Sequence, residues 1–300
     1  MAQEKKFKRL GAAIAVLSLA AVAAFGLASC AGSSQASTTD AQSEAGDCCG
    51  SGAEAESSTI TVAASPTPHA EILNDVVAPL LAKEGIELKV IEFNDYVQPN
   101  TATENKEVDA NFFQHQPYLD SFNEENGTHL ASVVAVHYEP FGLYAGKTAS
   151  LADLPDGATV AIPNDTTNEA RALLLLEQEG LIEVSDSAGI TATPNDIVSN
   201  PKNLQFVELE AAQIPRSLQD VNIAAINANY AVEAGLTPSK DALALEDASG
   251  DAAKTYANVL VTKECCTNSE SIQKLAAALT SQEVKDYIET HYQGAVEAIF

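Results

Sequence analysis

After residue 29 the chain holds only two arginines, Arg171 and Arg216. Arg171 ends the stretch Asn164-Asp165-Thr166-Thr167-Asn168-Glu169-Ala170-Arg171, whose capping residues open a helix predicted over 168–179 and stopped by Gly180. Orphan backbone amides and the helix dipole make such a terminus partly positive, so Glu169 suits the first turn and a guanidinium does not. An arginine placed against that preference, beside amide donors and the carboxamide of Asn168, forms a concentrated site for a carboxylate. The other reading is an arginine neutralised by one of the many acids, and position alone leaves both open. Arg216 opens a short helix and is expected to pair with a neighbouring acid such as Asp220 at i+4.

A second group is Phe112-Phe113-Gln114-His115 at a strand end, with Tyr118 just inside the following helix. Adjacent side chains on a strand face opposite ways, so one phenylalanine enters the core and the other can line a cleft. His115 can donate or accept a hydrogen bond to a ligand or serve as a satisfied structural residue. Tyr96 is a third aromatic at a strand end. Asn227 follows the apolar run 223–226 and can meet an ammonium or a carboxylate, or cap a helix starting near Ala228.

Signatures of catalysis are missing. No G-x-S-x-G, H-E-x-x-H, Walker A or G-x-G-x-x-G follows a predicted strand. His69-Ala70-Glu71 imitates the H-x-E of zinc deaminases without their P-C-x-x-C partner, and reads as the start of a helix. No catalytic or metal-ligating residue is assigned, and no cofactor is implied.

These residues need a frame of alternating strands and helices. Strands are expected at 59–64, 86–93, 109–113, 132–137, 160–162, 204–209, 223–226 and 259–262. Helices are expected at 69–83, 117–126, 168–179, between 209 and 223, at 269–280 and at 282–291. The rhythm is that of an α/β protein. It breaks near Glu139-Pro140-Phe141 and near 256–260, where the chain is expected to cross between two lobes. Lobe I would take 59–140 plus 256–300 and lobe II 141–255, with a ligand cleft where loops and helix N-termini converge.

The net charge of −26 gives phosphates no general attraction to this surface, which excludes nucleic acid as a partner class. Four of the 16 basic residues precede an apolar run over 10–27, the layout of an export signal. That run ends in Leu27-Ala28-Ser29-Cys30, which resembles the lipobox of bacterial lipoproteins, whose cysteine thiol takes a diacylglycerol before cleavage in front of it. Residues 1–29 are then a signal peptide, Cys30 the lipidated N-terminus and 30–58 a flexible tether. The protein is expected on the outer face of the cell membrane, held by lipid. The remaining cysteines form two adjacent pairs, Cys48-Cys49 and Cys265-Cys266. Disulfides fit an oxidising compartment, and their connectivity stays open. A soft-metal site made from both pairs is the rival reading.

The segment Asp109-Ala110-Asn111-Phe112-Phe113-Gln114-His115-Gln116-Pro117-Tyr118-Leu119 is similar to a stretch of the NlpA/MetQ family of methionine-binding lipoproteins. So are 160–182, 200–218 and 223–236, and the resemblance runs from about Thr59 to the C-terminus. It implies a type II periplasmic binding protein fold, two α/β lobes closing on L-methionine and delivering it to the permease and ATPase of an ABC importer. The family's ligand arginine falls on Arg171, its pocket histidine on His115, its aromatics on Tyr96 and Phe112 or Phe113, and its amides on Asn168 and Asn227. The chain departs from the family's common pattern at Thr166, where many members have proline, and in its vicinal cysteines. Rival readings are a binding protein for D-methionine, a methionine derivative or a short peptide, and a surface adhesin or metal-binding lipoprotein using the cysteine pairs.

Overall fold

A computed structural model describes residues 58–247 and 252–300. The expected signal peptide over 1–29, the expected lipidation site Cys30, the tether but for its last residue, and Cys48 and Cys49 lie outside them. The chain enters on strand β1 (Ser58–Ala64). It then winds through wide helical turns over Pro66–Ala70 and Leu73–Val77 into α1 (Ala78–Ala82). There follow β2 (Ile86–Glu92), α2 (Gln98–Glu104), β3 (Ala110–His115), α3 (Gln116–Asn126), β4 (Leu130–Tyr138) and β5 (Gly142–Ala145). Next come β6 (Thr159–Pro163), α4 (Thr166–Gln178), the hairpin strands β7 (Glu183–Val184) and β8 (Ile197–Ser199), and β9 (Gln205–Leu209). The chain continues through α5 (Ile214–Ser217), β10 (Ile223–Ile226), α6 (Ala228–Glu233), α7 (Pro238–Asp241), β11 (Ala242–Leu245) and α8 (Ala252–Thr255). It closes with β12 (Asn258–Lys263), α9 (Glu270–Leu279), α10 (Gln282–His291) and β13 (Glu297–Ala298).

Among the described residues the strands form two large sheets. The first runs β13-β4-β12-β3-β1-β2 and the second β11-β5-β10-β6-β9. In each, a parallel group carrying crossover helices is extended by antiparallel strands. The chain leaves the first sheet after Tyr138 and returns to it at Asn258, so the second sheet is one continuous excursion. Each sheet with its helices is a lobe. Lobe I buries Ile60, Val62, Phe112 and Leu260 beneath Leu73, Leu81, Leu275 and Ile288. Lobe II packs Leu173 and Leu176 of α4 on one sheet face and Ile214 and Tyr230 on the other. Strands buried on both faces read as unbroken apolar runs, which is why 223–226 was legible as strand.

The short turn Glu264–Cys266 joins β12 to α9. Cys265 and Cys266 are each disulfide-bonded, while their own sulfurs lie 3.9 Å apart.

Candidate functional site

The C-terminal ends of β3, β6 and β10 point at one another across the lobes, the position where open α/β sheets collect their ligands. A small cavity lies there. Lobe I contributes Tyr96, Phe113, His115 and Tyr118 to its wall, and lobe II contributes Arg171, Asn168, Asn227 and Asn229.

Local chemistry sets the helix that carries Arg171. Asp165 caps α4, its carboxylate accepting from the Asn168 backbone amide at 3.0 Å and from the Asn168 side chain at 2.8 Å. Arg171 follows within the next turn, 4% exposed. Its Nε donates to both oxygens of Glu246 at 3.0 and 3.1 Å, and its Nη2 donates to Glu246 at 2.5 Å and to the Glu139 carbonyl at 2.9 Å. The guanidinium carbon stands 4.2 Å from the ring centre of Tyr256 and 5.2 Å from that of Phe141. Burial disfavours its charge, but Glu246 more than compensates and raises its pKa. The reverse holds at Glu246, where burial pushes the carboxyl up and Arg171 brings it below the usual range. Arg171 thus combines both sequence readings, being neutralised by an acid and also lining the cavity. Among the described residues its Nη1 has no hydrogen-bond partner.

The β3 to α3 junction presents the second set. His115 caps α3, its Nδ1 accepting the Tyr118 amide at 3.2 Å, so the ring proton sits on Nε2, which donates to Asn168 Oδ1 at 3.2 Å across the lobes. Burial, reinforced by Arg171, lowers its pKa to about 4, so the imidazole is neutral at physiological pH. Strand alternation resolves the phenylalanine pair. Phe113 lines the cavity, its ring 5.8 Å from Tyr96. Phe112 does not: it is fully buried in lobe I, edge-on to His69 and His137, which corrects its assignment to the ligand set.

The amides divide as sharply. Asn168 Oδ1 accepts from both His115 and Asn227 Nδ2, the latter at 2.8 Å, so its acceptor capacity is taken by protein. Asn227 precedes α6 in extended conformation without a side-chain capping bond, and its buried Oδ1 has no partner. Asn229, which sequence reasoning missed, accepts from Tyr96 Oη at 2.6 Å and keeps its buried Nδ2 unpartnered. Its position two residues beyond Asn227 was the only signal available.

Glu139 is another residue missed. Its carboxylate accepts from His137 Nε2 at 2.8 Å and lies 3.4 Å from His69 Nε2. Burial raises its pKa, but the His137 hydrogen bond, together with the Arg171 charge, wins and lowers it. His69, His137 and Glu139 bring one potential metal ligand each within 4.8 Å of one another. Those atoms already bond one another and Asn258, and neither histidine Nδ1 has the second partner that orients a metal-bound imidazole. The cluster is better described as a hydrogen-bond array.

One expectation fails. Arg216 is exposed on α5, which stops at Ser217, so its spacing to Asp220 is not helical and that ion pair does not form. Cys265 and Cys266 are disulfide-bonded, as the favoured reading of the pair has it, so the rival reading as thiolate metal ligands does not hold for them.

Comparison with known proteins gives consistent results. The model of the NlpA lipoprotein family matches residues 60–300. The D-methionine-binding lipoprotein MetQ of Salmonella typhimurium is 45% identical over 222 residues, 73% of this chain and 80% of that protein. A solved chain from Ruminococcus gnavus is 54% identical with a TM-score of 0.80, covering 81% of this chain and 99% of that one. A nutrient binding protein from Burkholderia cenocepacia, solved bound to methionine, is 45% identical with a TM-score of 0.76, covering 80% of this chain and all of that one.

Proposed function

The chain belongs to the NlpA lipoprotein family, and from that we propose that it is a lipid-anchored binding protein that captures L-methionine between its lobes and hands it to the permease and ATPase of an ABC importer. Lobe I, 59–140 plus 256–300, and lobe II, 141–255, turn about the two crossings. Cys30 carries the lipid and holds the protein at the outer face of the cell membrane. Among the described residues no helix is long and apolar enough to cross a membrane.

One observation carries the reading: the polar atoms left over on the cavity wall match a zwitterion. Arg171 Nη1 and Asn229 Nδ2 are donors suited to a carboxylate, while Asn227 Oδ1 is an acceptor suited to an ammonium. Three rings, Tyr96, Phe113 and Tyr118, frame the apolar part, and a thioether against aromatic faces gains about 0.3–1.5 kcal/mol. His115 and Asn168 act through the bond they make to each other, which aligns the two walls.

The Burkholderia cenocepacia neighbour holds methionine, whereas the name of the Salmonella typhimurium relative specifies the D form. Calorimetric titration with L-methionine, D-methionine, methionine sulfoxide and a methionine dipeptide separates these. L-methionine is expected to bind one to one and most tightly. Tighter binding of the D enantiomer reverses the stereochemical assignment, and no heat with any of the four overturns the proposal.

A further inference from the structure

We propose that Cys265 and Cys266 are bonded pairwise to Cys48 and Cys49, two disulfides that fasten the segment preceding β1 to the corner following β12. Both cysteines of the corner are in disulfides, and a separation of 3.9 Å shows that they are not bonded to each other. The chain's other cysteines are Cys30, Cys48 and Cys49. Assigning Cys30 to the lipid, which rests on the lipoprotein reading above, leaves one partner for each.

Strand register brings the start of β1 and the corner after β12 to the same edge of the sheet. Val62 of β1 and Thr262 of β12 both stand level with Ala110 of β3, on either side of it. Strands β1 and β3 are parallel, whereas β3 and β12 are antiparallel, so β1 begins at the edge of the sheet where β12 ends. Ser58 lies four residues before Val62, and Cys265 three residues after Thr262, beyond that common edge. Two strand spacings separate β1 from β12 laterally, about 10 Å. Ten residues link Cys48 to Ser58 and reach at most about 33–36 Å. The span is short compared with the reach, and neither segment has to cross the sheet.

Each bond forms as two thiols surrender two protons and two electrons to a protein disulfide of the oxidising compartment, which leaves as a dithiol. The clasp gives the membrane anchor two attachments on lobe I, one through β1 and one through the β12 corner. A pull on the tether is then shared with the sheet instead of peeling β1 from its end.

The test uses the full exported chain, blocked with N-ethylmaleimide and kept free of reductant, then cut by a glutamate-specific protease. Cleavage after Glu44, Glu54, Glu264 and Glu270 isolates each cysteine pair on its own short peptide. The two peptides are expected to travel as one species, four hydrogens lighter than their sum, and to separate on reduction. Recovery of either peptide alone, two hydrogens light or carrying maleimide, overturns the clasp, as does linkage of Cys265 or Cys266 to the peptide of Cys30. A joined pair beside a lipid-free Cys30 upholds the clasp and sinks the anchor instead. Reductant is also expected to lower the melting midpoint of the wild-type protein, and the double variant Cys265→Ser, Cys266→Ser to abolish that shift with methionine affinity unchanged. A wild-type midpoint indifferent to reductant overturns the proposal.

Discussion

On the lobe I wall of the cavity, polar side chains answer one another. Gln114 exchanges hydrogen bonds with Asn100 and Asn111, His115 commits both ring nitrogens, and Tyr118 donates to the Tyr96 carbonyl. On the lobe II wall, Asn227 Oδ1, Asn229 Nδ2 and Arg171 Nη1 are left over. A buried polar atom without a partner costs about 1–3 kcal/mol. Lobe I is therefore a finished shelf whose order does not depend on a guest, while lobe II concentrates the capacity for recognition. Affinity should follow changes in lobe II and stability should follow changes in lobe I.

The hardest blow to that contrast is Arg171→Ala. Stranding one partner of a buried charge pair costs about 2–5 kcal/mol, so methionine affinity by calorimetry should fall roughly 30-fold to a few thousand-fold. Unchanged affinity would remove the recognition role from lobe II.

Acid probes the opposite wall. Burial lowers His69 and His115 to about pKa 4, although Glu139 partly opposes the shift at His69. An unfolded histidine titrates near 6.5, so the unfolded chain takes up more protons as pH falls below that value. Stability is complete above 6.5 and is lost toward 4, by about 2 kcal/mol per histidine at pH 5. Melting midpoints across that window should drop by several degrees, while a flat profile would mean that these rings are not held neutral.

Asn227→Ala should weaken binding by about 1–3 kcal/mol, or roughly 5-fold to 150-fold, with little change in melting. Gln114→Ala should do the reverse, lowering the midpoint by about 2–4 °C for each kcal/mol lost and shifting affinity less than tenfold. A pair in which both variants move both quantities equally would dissolve the distinction between the walls.

The smallest effect is the most discriminating. Phe113→Leu should lose about 0.5–1.5 kcal/mol of binding as one ring leaves the aromatic frame. Phe112→Leu should leave affinity alone and lower only stability. Calorimetry and melting on the two neighbours test whether strand alternation assigns them correctly.

What the sequence made legible was local. The cap at Asp165, the helix it opens, and the β3 to α3 junction each follow from a handful of adjacent residues. Glu246 could not be read there because it reaches Arg171 from 75 positions away, and Asn229 meets Tyr96 across 133. Glu139 was noticed only as a break between lobes, since its carboxylate acquires meaning when His69 folds against it. Alternation predicted that Phe112 and Phe113 divide between core and cleft, but which goes where depends on the face of the sheet that lobe II covers. The four-residue strands β5 and β11 escaped because their pairing is antiparallel and nonlocal, beyond the reach of any periodicity so short. The helix α2, opening with Pro99 near its start, was hidden among polar residues whose burial is decided by the amide network behind them.

The leftover atoms of Asn227 and Asn229 also bear on transport economy. If the lobes shut around nothing, those groups would lose water and gain no substitute, so unladen closure is penalised and the shut form is a trustworthy signal of cargo. Under the proposed function, an importer that responds to that shape would rarely hydrolyse nucleotide in a futile cycle, and the safeguard needs no sensor beyond two carboxamides.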